Sequence, residues 1–330
     1  MGANPMRAWQ VLRHAEPSDA LQQVEVARPE PGAGQVRIAV RAAAVGLPDV
    51  FMCRGTYPLT PPGVFVPGQE VAGVVSATGP GTSVAIGTRV MAITDFVHGH
   101  GGFADETLAD ADNVYAIPAG IDDAEAAGFL IAYLTAWIGL VTRAALHPDE
   151  TVLVLGATGG TGSAAVQLAH ALGATVIGVV NGDAKVQSCR ELGADHVIDR
   201  SQERIAEAVC RVTDGRGAHI VYDPVGGTLA GDAMRAVASE GRFLLVGFAS
   251  GAWPEIDAAR VVMGNFAVMG VYVGATTRPE REAMLEQLFE LVASGALRLQ
   301  VDTRPFHDLP AALTDVAAAR ARGRIVVLRD

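Results

Sequence analysis

Residues 151–162 read TVLVLGATGGTG, an apolar run that ends in a glycine-rich turn. An alanine-rich stretch extends from this turn to about Leu172, and a second apolar run covers Thr175–Val180. A strand, a tight turn and a helix in this order are typical of a βαβ unit that binds a dinucleotide. Ala157 stands in place of the first glycine of the fingerprint, and the predicted cofactor-binding loop consists of Ala157, Thr158, Gly159, Gly160, Thr161 and Gly162. Its glycines would let backbone N–H groups and the helix N-terminus approach a pyrophosphate; the simpler alternative is a turn that serves tight packing alone.

Strands continue to alternate with helices after this unit. A helix is predicted around Ala184–Leu192, and short β-type runs occur at His196–Asp199, His219–Asp223, Arg242–Gly247 and Ala267–Val273. This alternation predicts a parallel sheet with helices on both of its faces.

The chain on either side of this region has a different pattern. Up to about residue 120, short β-type runs are separated by proline- and glycine-rich turns, at Gln35–Val40, Glu70–Ser76 and Arg89–Ile93. Helices are predicted at Pro279–Ser294 and from about Leu309 to Arg322, with a strand at Ile325–Leu328. We therefore predict an α/β fold in which a Rossmann-type, doubly wound parallel sheet (residues 127–269) is inserted in a β-rich domain (residues 1–126 plus 270–330).

The composition argues against several classes of protein. The 330 residues are 50% hydrophobic and 18% charged, and their net charge of −11 without a Lys/Arg cluster argues against nucleic-acid binding. The three cysteines are far apart, as expected for reduced thiols in a cytoplasmic protein. Met1 to Gln10 lack the apolar core of a signal peptide. The uncharged run Ala126–Thr142 is short for a membrane span and contains glycines and polar residues, which favours a buried helix.

The residue that follows the second strand indicates which dinucleotide is bound. An acidic residue there would hydrogen-bond a free ribose 2′-hydroxyl and repel a 2′-phosphate, but the residue is Asn181. Lys185, the only lysine of the chain, lies one turn further on, while Asp183 argues mildly for the opposite preference. We therefore predict NADPH rather than NADH.

Two common arrangements that stabilise an alkoxide are missing from the sequence. A Tyr-x-x-x-Lys pair is impossible, because Asn181 occupies the position four residues before the only lysine. No cysteine lies near a histidine at zinc-ligand spacing, and the pair His98 and His100 is typical of a solvated glycine-rich loop. We predict no metal site. Hydride transfer without a Lewis acid suits an acceptor that is already electrophilic, such as a quinone or a conjugated enone.

Ordered motifs along nearly the whole chain resemble the medium-chain dehydrogenase/reductase superfamily. These motifs are Gly46–Asp49, Arg54–Pro58, Pro67–Val75, Gly101–Ala104, Tyr133–Ala136, Gly156–Gly162, Leu192–Asp195, Asp223–Gly227 and Gly323–Val326. The chain is most similar to the zinc-free quinone oxidoreductase (zeta-crystallin-like) branch, since Leu47 and Gln69 stand where zinc-dependent relatives carry a cysteine and a histidine. The resemblance implies that the β-rich domain is a GroES-like catalytic domain.

The resemblance also implies roles for individual residues. Tyr57 would line the substrate site and donate a proton, and Asp49 would lie at the floor of that site; alternatively, Tyr57 packs beside prolines and Asp49 caps the following helix. The further cofactor-binding residues implied are Thr135, Gly247 and Phe248 at the nicotinamide end, Asn181, Lys185 and Arg200 around the 2′-phosphate and adenine, and Arg324. Two positions depart from the branch, which commonly has asparagine at Leu47 and tyrosine at Arg200.

These observations predict a zinc-independent, NADPH-dependent oxidoreductase that transfers hydride to a quinone or another conjugated carbonyl compound. One alternative is an enoyl thioester or alkenal reductase, which acts on a C=C bond. Another is an NADPH-binding protein of low turnover with a sensing or structural role. The apolar run Ala267–Val273 is expected to pair with its copy in a homodimer, as the resemblance implies.

Overall fold

A computed structural model describes residues 5–321 and 323–329, and the chain divides into two compact units. The β-rich unit comprises the residues up to Leu130 and from Leu299 onward, and the parallel-sheet unit comprises Ile131–Arg298. The sequence-based boundaries were residues 127 and 270, so the second boundary differs. Its later position has a physical cause, because the N–H of Arg298 donates to Oε1 of Gln167 at 2.9 Å and ties this segment to the parallel-sheet unit.

The first part of the β-rich unit contributes seven strands, which pair antiparallel with one another in two sheets. Its strands are β1 (Pro5–Val11), β2 (Leu21–Ala27), β3 (Gln35–Val45), β4 (Glu70–Thr78), β5 (Arg89–Ile93), β6 (Glu106–Asp110) and β7 (Val114–Ala116). Its helices are α1 (Pro17–Ala20), α2 (Leu47–Arg54) and α3 (Asp123–Ala127). Helix α2 has Pro48 in its first turn, and Gly55, whose φ of 72° favours glycine, caps its C-terminus. Local sequence therefore determines both ends of this helix.

The parallel-sheet unit alternates helices and strands. Its helices are α4 (Leu130–Trp137), which begins at the boundary, α5 (Gly160–Ala171), α6 (Val186–Glu191), α7 (Ile205–Val212), α8 (Gly227–Met234), α9 (Ala258–Gly264) and α10 (Arg278–Ala293). Its strands are β8 (Thr151–Leu155), β9 (Thr175–Val180), β10 (His196–Asp199), β11 (Ala218–Asp223), β12 (Val237–Leu245) and β13 (Ala267–Gly270). All pairs are parallel, in the order β10-β9-β8-β11-β12-β13. The strand order reverses between β8 and β11, where doubly wound sheets bind their ligands.

The chain then returns to the β-rich unit. Its last elements are β14 (Val301–Pro305), α11 (Leu309–Ala317) and β15 (Arg324–Leu328). Strand β15 lies between β14 and β3, which gives the order β14-β15-β3-β4-β5-β7, and β6 also pairs with β3. Strands β1 and β2 form a separate antiparallel pair. A parallel sheet inserted in a β-rich unit confirms the predicted fold class.

The uncharged run Ala126–Thr142 is not the single helix that the sequence predicted. Helix α3 ends at Ala127, α4 covers Leu130–Trp137, and Ile138–Arg143 form a π-helical segment. Tertiary packing constrains this segment, because a Cβ on Gly139 would lie 3.0 Å from a ring carbon of Tyr222. Among the helices of residues 5–321 and 323–329, none has the length and apolarity needed to cross a membrane.

Two predicted elements end earlier than expected. The strand that begins at Ala267 ends at Gly270 rather than Val273. The helix that begins at Leu309 ends at Ala317, while the predicted end at Arg322 lies outside the described residues.

Each unit has its own hydrophobic core. Ile38, Met52 and Phe103 are fully buried in the core of the β-rich unit. Leu153 and Phe243, which lie on strands, are fully buried in the core of the parallel-sheet unit. Burial of each such side chain stabilises the folded state by about 1.5–3 kcal/mol of transfer free energy. The loops at the strand ends are therefore attached to two stably folded units.

Candidate active site

The turn between β8 and α5 has the geometry of a phosphate-binding loop. The N–H of Gly159, the residue before α5, donates to the carbonyl oxygen of Gly156 at 2.9 Å. A Cβ on Gly162 would lie 2.2 Å from the same carbonyl oxygen, so glycine alone fits where the helix passes the turn. Ala157 and Thr158 are buried and Gly159 is exposed, so the loop presents backbone to solvent at Gly159.

The N-terminus of α5 fits a diphosphate. The helix has 12 residues, and its first turn carries no acidic side chain. Its dipole therefore places an uncompensated partial positive charge at the loop, which stabilises an anion. Together with the close approach at Gly162, this is the environment that the pyrophosphate of a dinucleotide requires.

Asn181, Lys185 and Arg200 lie at the carboxyl ends of the neighbouring strands β9 and β10. The N–H of Arg200 donates to the carbonyl oxygen of Val180 at 3.0 Å, which places Arg200 beside the end of β9. Asn181 and Arg200 are exposed and Lys185 is half-buried. The residue directly after β9 is therefore an amide, with two cations near it, although Asp183 and Asp199 belong to the same segments. The binding of a 2′-phosphate by Asn181, Lys185 and Arg200 stays a prediction.

Asp199 organises this cluster, and sequence reasoning missed it. Its Oδ1 accepts hydrogen bonds from the N–H of Gly182 at 2.8 Å, the N–H of Ser201 at 3.0 Å and the hydroxyl of Ser201 at 2.8 Å. These hydrogen bonds, with that of Gly182 first, lower the pKa of Asp199. Gly182 has a φ of 89°, a conformation that favours glycine. The sequence contains one signal for this role: Asp199, Arg200 and Ser201 stand at the end of a predicted strand. An aspartate at such a position often accepts a hydrogen bond from the backbone N–H two residues further on.

The carboxyl ends of β11 and β12 carry residues predicted for the nicotinamide end. Oδ1 of Asp223 accepts hydrogen bonds from the N–H groups that follow it, including that of Gly226 at 2.8 Å. The N–H of Gly247 donates to the carbonyl oxygen of Asp223 at 3.2 Å, so Gly247 and Phe248 lie at this edge of the sheet. Burial raises the pKa of Asp223 to about 6, although these hydrogen bonds oppose the shift. Thr135 is buried within α4.

In the β-rich unit, Asp49 joins the start of α2 to the turn that precedes β4. Its Oδ2 accepts from the N–H of Gly46 at 2.8 Å and its Oδ1 accepts from the N–H of Gly68 at 3.1 Å. Asp49 is buried, which raises its pKa to about 7, while the hydrogen bonds and the charge of Arg324 oppose that shift. The structure thus shows the helix-capping role, and a part in proton transfer stays a prediction.

Glu70 and Arg324 form a buried ion pair close to Asp49. The guanidinium of Arg324 donates to the Glu70 carboxylate, and the exposed fractions of the two side chains are 15% and 1%. A Cβ on Gly46 would lie 3.4 Å from the Arg324 guanidinium and 3.5 Å from Oδ2 of Asp49, so these groups converge. We name Asp49, Glu70 and Arg324 the ionisable cluster. The contact of Arg324 with a cofactor stays a prediction.

Tyr57 and Gln69 lie near this cluster along the chain. Tyr57 is half-buried after α2, and its backbone N–H donates to the carbonyl oxygen of Phe51 at 3.3 Å. Gln69 is buried, with its amide nitrogen 4.0 Å from the sulfur of Met52. Within residues 5–321 and 323–329, no group of three or more His, Cys, Asp or Glu side chains is arranged to hold a metal ion.

Two family models match the chain. Residues 32–119 match the alcohol dehydrogenase GroES-like domain, and residues 160–293 match a model described as zinc-binding dehydrogenase. The first match lies in the β-rich unit and the second in the parallel-sheet unit.

Three proteins illustrate what the chain is similar to. It is 36% identical over 81% of its length to the quinone oxidoreductase-like protein 2 homolog of Nematostella vectensis, covering 73% of that protein. It is 33% identical over 94% of its length to a phenolphthiocerol/phthiocerol polyketide synthase chain of Mycobacterium tuberculosis, of which it covers 14%. The structure of a mycobacterial protein complexed with NADPH matches with a TM-score of 0.90 at 30% identity, covering 98% of this chain and 99% of that one. The resemblance found in the sequence is confirmed: the chain is an oxidoreductase that belongs to the quinone oxidoreductase-like branch of the medium-chain dehydrogenase/reductase superfamily.

Proposed function

We propose that this enzyme transfers hydride from NADPH to a quinone or another conjugated carbonyl compound without zinc. The observation that carries the cofactor preference is Asn181, a neutral residue at the end of β9 where an acid would contact a free ribose hydroxyl, with the cations Lys185 and Arg200 beside it. The NADPH complex of a 30% identical mycobacterial protein supports it. The likeness to a quinone oxidoreductase-like protein supports the acceptor class.

The residues of the parallel-sheet unit would hold the cofactor from one end to the other. The N-terminus of α5 and the loop Ala157–Gly162 would bind the pyrophosphate. Asn181, Lys185 and Arg200 would bind the 2′-phosphate. Thr135, Gly247 and Phe248 would border the nicotinamide, and bound NADPH supplies the hydride, that is, two electrons and one proton.

A proton donor completes the reduction of a carbonyl acceptor. A quinone that gains a hydride becomes a hydroquinone anion, and one further proton gives the hydroquinone. The hydroxyl of Tyr57, or a water molecule that it orients, would deliver this proton and regain it from solvent. A Tyr57→Phe variant with unchanged kcat for the best acceptor would show that the tyrosine hydroxyl is not the donor.

Zinc independence rests on the donor set at two positions. The zinc-dependent relatives carry cysteine and histidine where this chain has Leu47 and Gln69. A leucine side chain has no donor atom, and a neutral amide is a poor substitute for a thiolate or imidazole ligand. Activity that persists after dialysis against a strong chelator would support this part of the proposal.

The edge of the parallel sheet supports a homodimer. Strand β13 is the last strand in the order of the sheet, with β12 as its neighbour. On α9, just before β13 along the chain, the adjacent apolar residues Val262 and Met263 are 78% and 88% exposed. Pairing of β13 with its copy would extend the sheet and cover these side chains. Sedimentation at micromolar concentration would test this assembly.

A cytoplasmic location is proposed on the state of the thiols. The cysteines Cys53, Cys189 and Cys210 are all free in the structure. Free thiols are typical of reducing compartments. Imaging of a tagged chain in the source cell would test this location.

A second candidate is reduction of the C=C bond of an enoyl thioester. The likeness to a segment of a polyketide synthase favours it, because polyketides are assembled as thioesters. Here the hydride would go to the β-carbon and the proton to the α-carbon. The same cofactor and the same proton donor serve both reactions, so substrate assays must distinguish them.

The test is a spectrophotometric assay of NADPH consumption against a panel of acceptors. The panel contains 1,4-benzoquinone, 9,10-phenanthrenequinone, a short enone and crotonyl-CoA, with NADH as the parallel cofactor. We expect turnover of quinones with NADPH and little with NADH. Turnover of the thioester alone would replace the proposal with the second candidate, and binding of NADPH without turnover would favour a sensing role.

A further inference from the structure

The loop that follows β12 carries an exposed tryptophan. Trp253 is 55% exposed, although tryptophan side chains are highly buried on average. Its ring centroid lies 4.6 Å from that of Phe248, with 38° between the ring planes. Phe248 therefore supports the indole on one side, while much of its surface stays open.

This loop is held against the turn that follows β11. The N–H of Ser250 donates to the carbonyl oxygen of Val225 at 2.8 Å, and the N–H of Gly227 donates to that of Ala252 at 2.9 Å. The two hydrogen bonds run in opposite directions between the segments, so they fix the loop just before Trp253. An aromatic side chain presented by a fixed loop loses little conformational entropy when it binds a ligand.

The place of this loop in the sheet indicates which part of the reaction it faces. The pyrophosphate-binding loop follows β8, and the cluster with Asn181 follows β9. In the order β9-β8-β11-β12, the other half of a dinucleotide extends toward β11 and β12. Trp253 follows β12, so it belongs to the nicotinamide side of this edge, where the acceptor must arrive.

We propose that Trp253, supported by Phe248, provides a stacking surface that selects planar, fused-ring acceptors over single-ring ones. This inference rests on the proposed function and assigns a substrate class to the same site. An indole stacks favourably on flat aromatic systems, and each fused ring adds contact area. Trp253 is a specificity-determining residue here, with no part in the transfer of hydride or proton.

Steady-state kinetics of wild type, Trp253→Phe and Trp253→Ala test the proposal, with NADPH as donor. In Trp253→Ala we expect KM for 9,10-phenanthrenequinone to rise about tenfold, with kcat nearly unchanged and 1,4-benzoquinone affected less than about twofold. Trp253→Phe keeps an aromatic face and should recover most of the loss. Equal changes for the two quinones, or no change for either, would overturn the proposal.

Quenching of tryptophan fluorescence provides a second measurement that does not need turnover. The chain has three tryptophans, Trp9, Trp137 and Trp253. Saturable quenching by phenanthrenequinone should persist in the control Trp9→Phe and largely disappear in Trp253→Phe. Unchanged quenching in Trp253→Phe contradicts the stacking surface. A wild type that shows quenching but reduces no quinone contradicts the proposed function alone, so the two failures are distinguishable.

Discussion

The glycine-rich loop of the parallel-sheet unit and the ionisable cluster of the β-rich unit are built in opposite ways. The loop depends on backbone: Gly162 lies so close to the carbonyl oxygen of Gly156 that a Cβ would be 2.2 Å away. The cluster depends on side chains: Glu70 is paired with Arg324, and Asp49 accepts two backbone hydrogen bonds next to them. The loop should therefore be sensitive above all to side-chain size, and the cluster above all to side-chain charge.

The largest effect on stability is expected for Glu70→Gln. This change leaves the partly buried Arg324 without its carboxylate, and breaking a buried pair costs about 3 kcal/mol or more of unfolding free energy. Urea unfolding measures it. The control is Glu30→Gln, whose side chain is 81% exposed in its pair with Arg37 and which should change stability by less than about 0.5 kcal/mol. Similar values for the two variants would show that the cluster is not electrostatically coupled to the fold.

Gly162→Val tests the steric side of the comparison. We expect NADPH affinity to fall by about 100-fold, equivalent to about 2.8 kcal/mol, because the new side chain forces the helix away from the turn. A fluorescence titration with NADPH measures the loss. The control is Gly231→Ala on α8, where a Cβ meets no atom within 4 Å, so that affinity should not change. Retained affinity in Gly162→Val, with the fold verified by circular dichroism, would refute the phosphate-binding role of this loop.

Asn181→Asp adds a charge without adding size and sharpens the assignment of the 2′-phosphate. Like-charge repulsion should weaken NADPH binding by about tenfold while NADH binding is unchanged or slightly stronger. Dissociation constants for both cofactors measure the shift in preference. Gln22→Glu, which adds the same charge on an exposed position of β2, is the matched control. A parallel loss for both cofactors would mean that Asn181 does not face the phosphate.

The effect that is expected for Asp49→Asn depends on pH. At neutral pH the substitution replaces an acceptor with a donor opposite a backbone N–H, at a cost of about 1 kcal/mol. Because the folded pKa of Asp49 is raised from 3.8 to about 7, the folded state binds its proton more tightly than the unfolded state does. The stability of wild type relative to Asp49→Asn should therefore fall as pH rises from about 4 through 7. Unfolding at three pH values measures this, and a difference that rises with pH would contradict the raised pKa.

The two regions also differ in how much of them could be predicted from the sequence. The loop was predictable because its strand, its glycines and its helix are consecutive in the sequence. The spacing of the glycines alone shows where a side chain would not fit. The pair of Glu70 and Arg324 joins residues 254 positions apart, and no local pattern contains it. Asp199 is an intermediate case. Its hydrogen bond with Ser201 lies within one turn and is predictable from local sequence, whereas its hydrogen bond with Gly182 joins residues that are distant in the sequence. The alternative that Asp49 caps α2 was predictable from its position, whereas its second hydrogen bond to Gly68 depends on the tertiary fold.

Strand β15 has a consequence for the synthesis of the chain. On the side of β3 where β6 pairs with residues 35–39, residues 42–45 stay unpaired until β15 is made, and Arg324, which pairs with Glu70, follows it by 254 positions. At about 5–20 residues per second, translation of that segment takes roughly 13–50 s, which is long compared with the folding of most single domains. During this interval the parallel-sheet unit, whose residues are continuous, can mature by itself. The nascent β-rich unit has an open strand edge at residues 42–45 of β3, and ribosome-associated chaperones are expected to engage the chain there.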